Sequence, residues 1–187
     1  MNSADTSKMI NPMLHEPATL VSLLSRAENK EEVLRTAVEK AAAVTGANLT
    51  CFYGYTKVKE SGEYKIVRML QIGYGHSPKE LSPAADIVQF MEDSRETIVL
   101  LTKKEHPFKG LLLTPEMESG IGLPIIAGST DSKPRKYGLL ILNSKNPYYF
   151  SGGVLDFLES LRSITISMYV QKTGPRSVHS SSNRRQQ

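Results

Sequence analysis

Cysteine is nearly absent from this 187-residue chain: Cys51 stands alone, and there is no tryptophan. A single thiol rules out an intrachain disulfide and a cysteine-based zinc cluster, and it suits a reducing, cytoplasmic setting. No apolar run approaches the roughly 20 residues that a membrane-spanning helix requires. The opening stretch, Met1 to Pro17, is polar and mixed in charge, without the basic-then-apolar pattern of a secretory signal. The four histidines, at 15, 76, 106 and 179, fall at no metal-ligand spacing, so no metal is expected. Glu118-Ser119-Gly120-Ile121-Gly122-Leu123-Pro124 holds two glycines, but neither a following helix nor a Lys-Ser/Thr pair. It is therefore neither a Walker loop nor a dinucleotide fingerprint. No serine stands in a recognisable nucleophile arrangement, and no enzymatic activity is expected.

Acidic side chains are missing from the last 16 residues, which hold Lys172, Arg176, Arg184 and Arg185. Setting those four aside leaves 19 basic against 19 acidic residues, so the net charge of +4 belongs to the tail. A nucleic-acid-binding domain carries its basic charge on the folded surface, where it meets phosphates. Nucleic acid is accordingly an unlikely partner; a solubilising tail, or a weak anchor for acidic partners, fits better.

What is present suffices for one globular domain, with 40% apolar and 22% charged residues. Residues 1–16 read as a disordered leader, 17–172 as the domain, and 173–187 (TGPRSVHSSSNRRQQ) as a disordered basic tail. Leu20, Val21, Leu23, Leu24 and Ala27 recur at helical spacing. Asn29-Lys30-Glu31-Glu32 is a capping box opening a second helix, whose apolar face is Val33, Leu34, Ala37, Val38, Ala41 and Val44. Gly46 ends it. Residues 48–57 and 64–72 are β-branched and aromatic, two strands of a hairpin. Ser82-Pro83 is expected to open a short helix, with serine as N-cap, carrying Ile87, Val88, Phe90 and Met91. Strands follow at 97–102, 118–127 and 136–143; residues 103–115 show no period, and GSTDSKPR is a polar loop. A closing helix over 152–171 carries Val154, Phe157, Leu158, Leu161, Ile164, Thr165 and Met168.

This order predicts an α+β sandwich around a mainly antiparallel sheet of five to six strands. The terminal helices would share one face, while loops and short helices, roughly 74–116, cover the other. The closing helix also carries Leu155, Ile166, Tyr169 and Val170, more apolar surface than one stripe needs. That excess predicts a homodimer.

Ser119-Gly120-Ile121-Gly122-Leu123-Pro124-Ile125, Lys136-Tyr137-Gly138-Leu139-Leu140-Ile141-Leu142, and Phe150 followed by Asp156, Leu158 and Leu161 together resemble the second half of a GAF domain. The helix ending near Thr45-Gly46-Ala47 fits the same family, and the likeness spans residues 18–171. It implies a GAF/PAS-like sandwich that holds a small molecule between sheet and cover and pairs through its terminal helices. Cyclic-nucleotide-binding members carry an Asn-Lys…Phe…Asp-Glu signature. Asn143 and Phe150 match its ends, but Ser144 follows Asn143, and Val154-Leu155 stand where the acids belong. Cys51 does not resemble the bilin-bonding cysteine, so no covalent bilin is expected. The members that reduce free methionine sulfoxide use several cysteines.

A ligand pocket needs apolar walls with a few polar handles. The candidates here are Tyr53, Tyr74, His76, Phe90 and Phe108, joined by Ser119 and Gly120, whose strand faces the ligand in similar domains. Neighbouring strand residues face opposite ways, so Phe52 and Tyr53 cannot both line the pocket. The GYGHSP turn around His76 lets the backbone approach a ligand closely. Cys51, between Thr50 and Phe52, reads as a buried small hydrophobe. The expected function is a non-catalytic sensory or regulatory domain that binds a small molecule or a signalling protein. With no recognised output domain, it would either act in trans or, having lost ligand binding, serve as a protein-interaction module. The alternatives are a reductase of the free methionine sulfoxide type, or binding of nucleic acid or acidic partners through the tail.

Overall fold

In the computed structural model, residues 17–104, 108–128 and 134–173 are described, without the side chains of 108, 109 and 173. The leader 1–16, the tail beyond Thr173, the His106-Pro107 break and most of the GSTDSKPR loop lie outside the described residues. Helices α1 (Pro17–Ser25) and α2 (Lys30–Thr45) lead into β1 (Leu49–Lys57) and β2 (Tyr64–Gly73). The short β3 (Glu80–Leu81), α3 (Asp86–Ser94) and β4 (Ile98–Leu100) follow. After a 3-10 turn (Phe108–Leu111) come β5 (Ser119–Ala127), β6 (Arg135–Ser144) and the long α4 (Gly153–Thr173). The strands form one six-stranded sheet in the order β3-β2-β1-β6-β5-β4, and every pairing is antiparallel.

Local chemistry accounts for these boundaries. Asn29 Oδ1 accepts from the Glu32 N–H at 2.9 Å, while the Glu32 carboxylate accepts from the Glu28 N–H at 2.6 Å. Gly46 stops α2 in the left-handed conformation, at φ 63°, with its N–H on the Ala42 carbonyl. The expected serine cap of α3 is not formed. The helix starts at Asp86 because Ser82–Ala85 closes a turn first, with the Ala85 N–H on the Ser82 carbonyl at 3.1 Å. The strand expected over 97–102 shortens to Ile98–Leu100, pairing with Gly120–Gly122 of β5. Pro124 then offers no N–H to that outer edge, which ends the ladder and blunts an otherwise open edge.

Strand alternation sorts the core into two layers. On one face, α1, α2 and α4 cover Phe52, Ile121, Leu123, Ile125, Leu140 and Leu142. On the other, α3, the 3-10 turn and the segment through Met117 cover Leu49, Cys51, Tyr53, Ile66, Leu139 and Ile141. Fully burying each such side chain contributes about 1.5–3 kcal/mol relative to exposure. Part of the apolar excess of α4 is used within the subunit: Val154, Leu155, Ile164, Ile166, Met168 and Tyr169 all pack partly against the helical layer. A bulge opposite Phe52/Tyr53 pairs Phe52 with Leu70 and Tyr53 with Arg68, leaving Met69 unpaired. It also keeps Tyr53 and Arg68 on one face.

Candidate functional site

The face of the sheet away from the long helices, where the sequence led us to expect a ligand, is covered by the chain itself. Gly120 and Gly122 of β5 form its floor. A Cβ on Gly122 would stand 2.7 Å from Leu111 Cδ1 and 2.7 Å from Met91 Sδ; one on Gly120 would stand 2.7 Å from Asn143 Nδ2. Leu111, Met91 and Met117 are each at most 1% exposed, and Leu113 is 7% exposed. The glycines thus let covering side chains sit directly on the strand backbone.

Asn143, on β6, is fully buried. Its Oδ1 accepts from the Leu113 N–H at 2.8 Å, and its Nδ2 donates to the carbonyls of Leu111 at 3.0 Å and Leu142 at 2.9 Å. A buried amide must satisfy both its donor and acceptor groups, and here the covering segment helps to do so.

Two polar clusters flank this apolar centre. In the first, Arg68 Nη1 donates to the Ser77 carbonyl at 2.6 Å, to Ser77 Oγ at 2.6 Å and to Gln71 Oε1 at 2.7 Å. Ser77 Oγ donates to Gln71 Oε1 at 2.7 Å, and the Cys51 thiol donates to Ser77 Oγ at 3.3 Å. The Tyr53 hydroxyl donates to the Pro78 carbonyl at 2.9 Å. Burial raises the Cys51 thiol above its ordinary value, against smaller downward pulls from the Ser77 bond and Arg68. Tyr53 is pushed up to about 12, again chiefly by burial. In the second cluster the Tyr55 hydroxyl donates to Glu92 at 2.6 Å, and Lys136 Nζ pairs with the same carboxylate at 2.5 Å, tying α3 to β1 and β6. Burial, then the bond and charge of Glu92, hold the Tyr55 phenol well above its ordinary value.

Of the residues singled out in the sequence, Tyr53 and Gly120 share the covered face but stand on strands two apart, Tyr53 paired with Leu139 and Gly120 with Asn143; Phe52 lies on the opposite, helical face. Ser119 is buried on the other side of its strand, with its hydroxyl on the Asn146 carbonyl at 2.7 Å. Tyr74 is 91% exposed at the turn after β2, and His76 beside it is exposed too. Phe90 is 47% exposed on α3. The backbone of Phe108 lies in the 3-10 turn; its side chain lies outside the described residues. Sequence reasoning missed the structural roles of Arg68, Gln71, Ser77 and Glu92. A faint signal existed in Arg68 and Gln71, polar residues within an otherwise apolar strand. The role of Asn143 as anchor of residues 111–113 had none.

Among the described residues, no group of three or more His, Cys, Asp or Glu could hold a metal ion, and no helix is long and apolar enough to cross a membrane. A void of about 10 Å³, water-sized, lies on the helical side among Phe52, Ile125, Leu140, Leu161 and Thr165. An open groove of about 350 Å³ runs along α1 past Ala18, Ser22 and Arg26.

This architecture, a six-stranded antiparallel sheet with terminal helices on one face and a short helix and loops on the other, is the GAF-domain fold. The GAF domain of a phosphoenolpyruvate-protein phosphotransferase from Acinetobacter has it, at a TM-score of 0.64 and 19% identity over 90% of this chain and 99% of that one. So does free methionine-R-sulfoxide reductase from Neisseria meningitidis, solved with its substrate, at 0.63 and 15% identity over 83% and 87%. The GAF domain of the phosphotransferase from Coxiella burnetii matches at 0.62 and 16% identity over 83% and 90%. No family model and no curated protein matches the sequence. At such identities the likeness shows the fold.

Proposed function

We propose that this chain is a non-catalytic regulatory GAF domain that works in the cytoplasm by contact with protein, a twin subunit or a signalling partner. The observation that carries this reading is the filled site. Over the floor of β5, Leu111 and Met91 rest on Gly122, and Asn143 bonds the cover at Leu111 and Leu113. A pocket for a small molecule needs open volume lined by a few uncommitted polar groups. Here the Tyr53 hydroxyl, Arg68 Nη1 and the Asn143 amide are all bonded within the chain.

A relay path accompanies the filled site. Arg162 Nη1, on α4, donates to the Arg95 carbonyl at the end of α3 at 2.8 Å, so a shift of α3 bears directly on the closing helix. Val21 on α1, 40% exposed, leaves apolar surface on a terminal helix for pairing.

The reductase alternative has a structural relative in the Neisseria enzyme. Thiol reduction of a sulfoxide, however, needs a reactive thiolate and two electrons. Cys51 is the sole thiol; it is fully buried, and burial favours its protonated form.

Native mass spectrometry of protein purified from its own host tests the proposal. A clean apo mass, monomeric or dimeric, supports it. A small molecule that co-purifies and is lost on denaturation overturns it in favour of a ligand sensor.

A further inference from the structure

Asn143 makes a backbone pattern with the cover that belongs to sheets. Its side-chain amide donates to the carbonyl of Leu111 and accepts from the N–H of Leu113, bracketing Leu112. One residue of a parallel neighbouring strand bonds its partner in the same way, to the carbonyl before and the N–H after a single residue. The side chain therefore reads main chain, not a particular side chain. Specificity comes from the floor beneath, where the missing Cβ of Gly122 makes a socket that Leu111 fills. No backbone ladder ties 111–113 to the sheet; the outer partner of β5 is β4, and the first main-chain bond back to β6 is from the Glu118 N–H to the Ser144 carbonyl at 2.8 Å. The segment is held by the Asn143 amide, by buried Leu111, Leu113 and Met117, and by Lys103 Nζ on the Pro115 carbonyl at 3.1 Å, an arrangement that can come away without breaking a strand pairing.

We propose that residues 111–117 are an internal stand-in for a partner's peptide: they open as a unit, and the uncovered site takes a short, leucine-bearing segment of another protein. Asn143 reads the main chain of whichever segment is present, and the Gly120–Gly122 floor takes its apolar side chain. This rests on the reading that the domain works by protein contact, and it names the site and the partner chemistry. Peptide capture by main-chain bonds plus a side-chain pocket is a general recognition mode. A tethered segment competes at an effective concentration in the millimolar range, which keeps the site closed until a partner exceeds it.

Hydrogen exchange on the intact chain tests the opening. Amides of 111–117 should exchange together, ahead of those of β1 and β6. Asn143→Ala should speed the Leu113 amide by about tenfold to a hundredfold while β1 and β6 keep their rates. Asn143→Asp, which retains only the acceptor, should fall between. Exchange of the segment only in step with the sheet overturns the proposal, in the wild type or, if Asn143→Ala does not fold, in Leu111→Ala. The second arm adds a synthetic peptide spanning 109–116, KGLLLTPE, to Leu111→Ala protein, whose socket is emptied and whose amide is intact. Saturable slowing of exchange in β5, lost when the first two leucines of the peptide become serine, supports the partner chemistry. No slowing, or equal slowing by the serine peptide, overturns it. Neither failure restores a small-molecule ligand, which the native mass measurement decides separately.

Discussion

Leu111 and Gly122 form a lock whose two halves can be exchanged, and a double-mutant cycle reads it. Leu111→Ala removes a fully buried side chain from above a glycine. Large-to-small changes of this kind cost about 2–5 kcal/mol, and the upper half of that range applies where the walls cannot collapse into the space. Gly122→Ala faces two opposed effects. A strand alanine gains about 0.5–1 kcal/mol over glycine. Its Cβ, however, would stand 2.7 Å from both Leu111 Cδ1 and Met91 Sδ. Overpacking of this sort costs about 1–3 kcal/mol, so the single change should destabilise by about 1 kcal/mol net. In the double variant the new methyl enters the space that Leu111 Cδ1 vacated. The pair should therefore be less destabilised than the sum by about 1–2 kcal/mol. Urea denaturation midpoints at constant m-value measure all three variants, and each kcal/mol moves the melting temperature by about 2–4 °C at this chain length. Additivity within about 0.5 kcal/mol would refute the reasoning, because it would mean that Leu111 does not rest on Gly122 in solution.

Other expectations follow from the same geometry. Glu92→Gln should lower the Tyr55 pKa while leaving it above the ordinary phenol value, since burial is the larger cause and remains; phenolate absorbance against pH reports it. The folded chain holds the Tyr53 proton more tightly than the unfolded chain, so its contribution to stability is complete below about pH 10 and lost as pH rises towards about 12. Tyr53→Phe should flatten that part of the stability–pH curve, and an unchanged slope would count against a buried phenol. Cys51 should resist a bulky maleimide at neutral pH in the native protein and react fully once unfolded, as followed by mass. Pro124→Thr restores an N–H to the outer edge of β5, so light scattering should show faster self-association at equal stability.

The helices, the hairpin and the sheet's two apolar layers were legible because each rests on local chemistry. The Asn29 cap, the Gly46 stop and the alternation through Leu49-Thr50-Cys51-Phe52-Tyr53 act within a few residues of one another. Even the antiparallel sandwich follows from element order, since short connections favour hairpin pairing. Residues 103–115 had no period to read, because their partners lie elsewhere in the chain. Leu111 is placed by a glycine eleven residues on, and Leu113 by an asparagine thirty residues on. Arg68 meets Ser77 only because a turn folds back over the sheet, and a bulge decides that Arg68 and Tyr53 share a face. Sequence by itself determined which surfaces must be buried, because apolar spacing along a helix or strand is a property of the chain. Tertiary structure alone decided what buries them. A concave sheet face can be closed by a ligand, by a partner or by the chain's own leucines, and the same glycines serve all three. Here the leucines fill it, because Asn143 stands where it can bond the backbone on either side of Leu112.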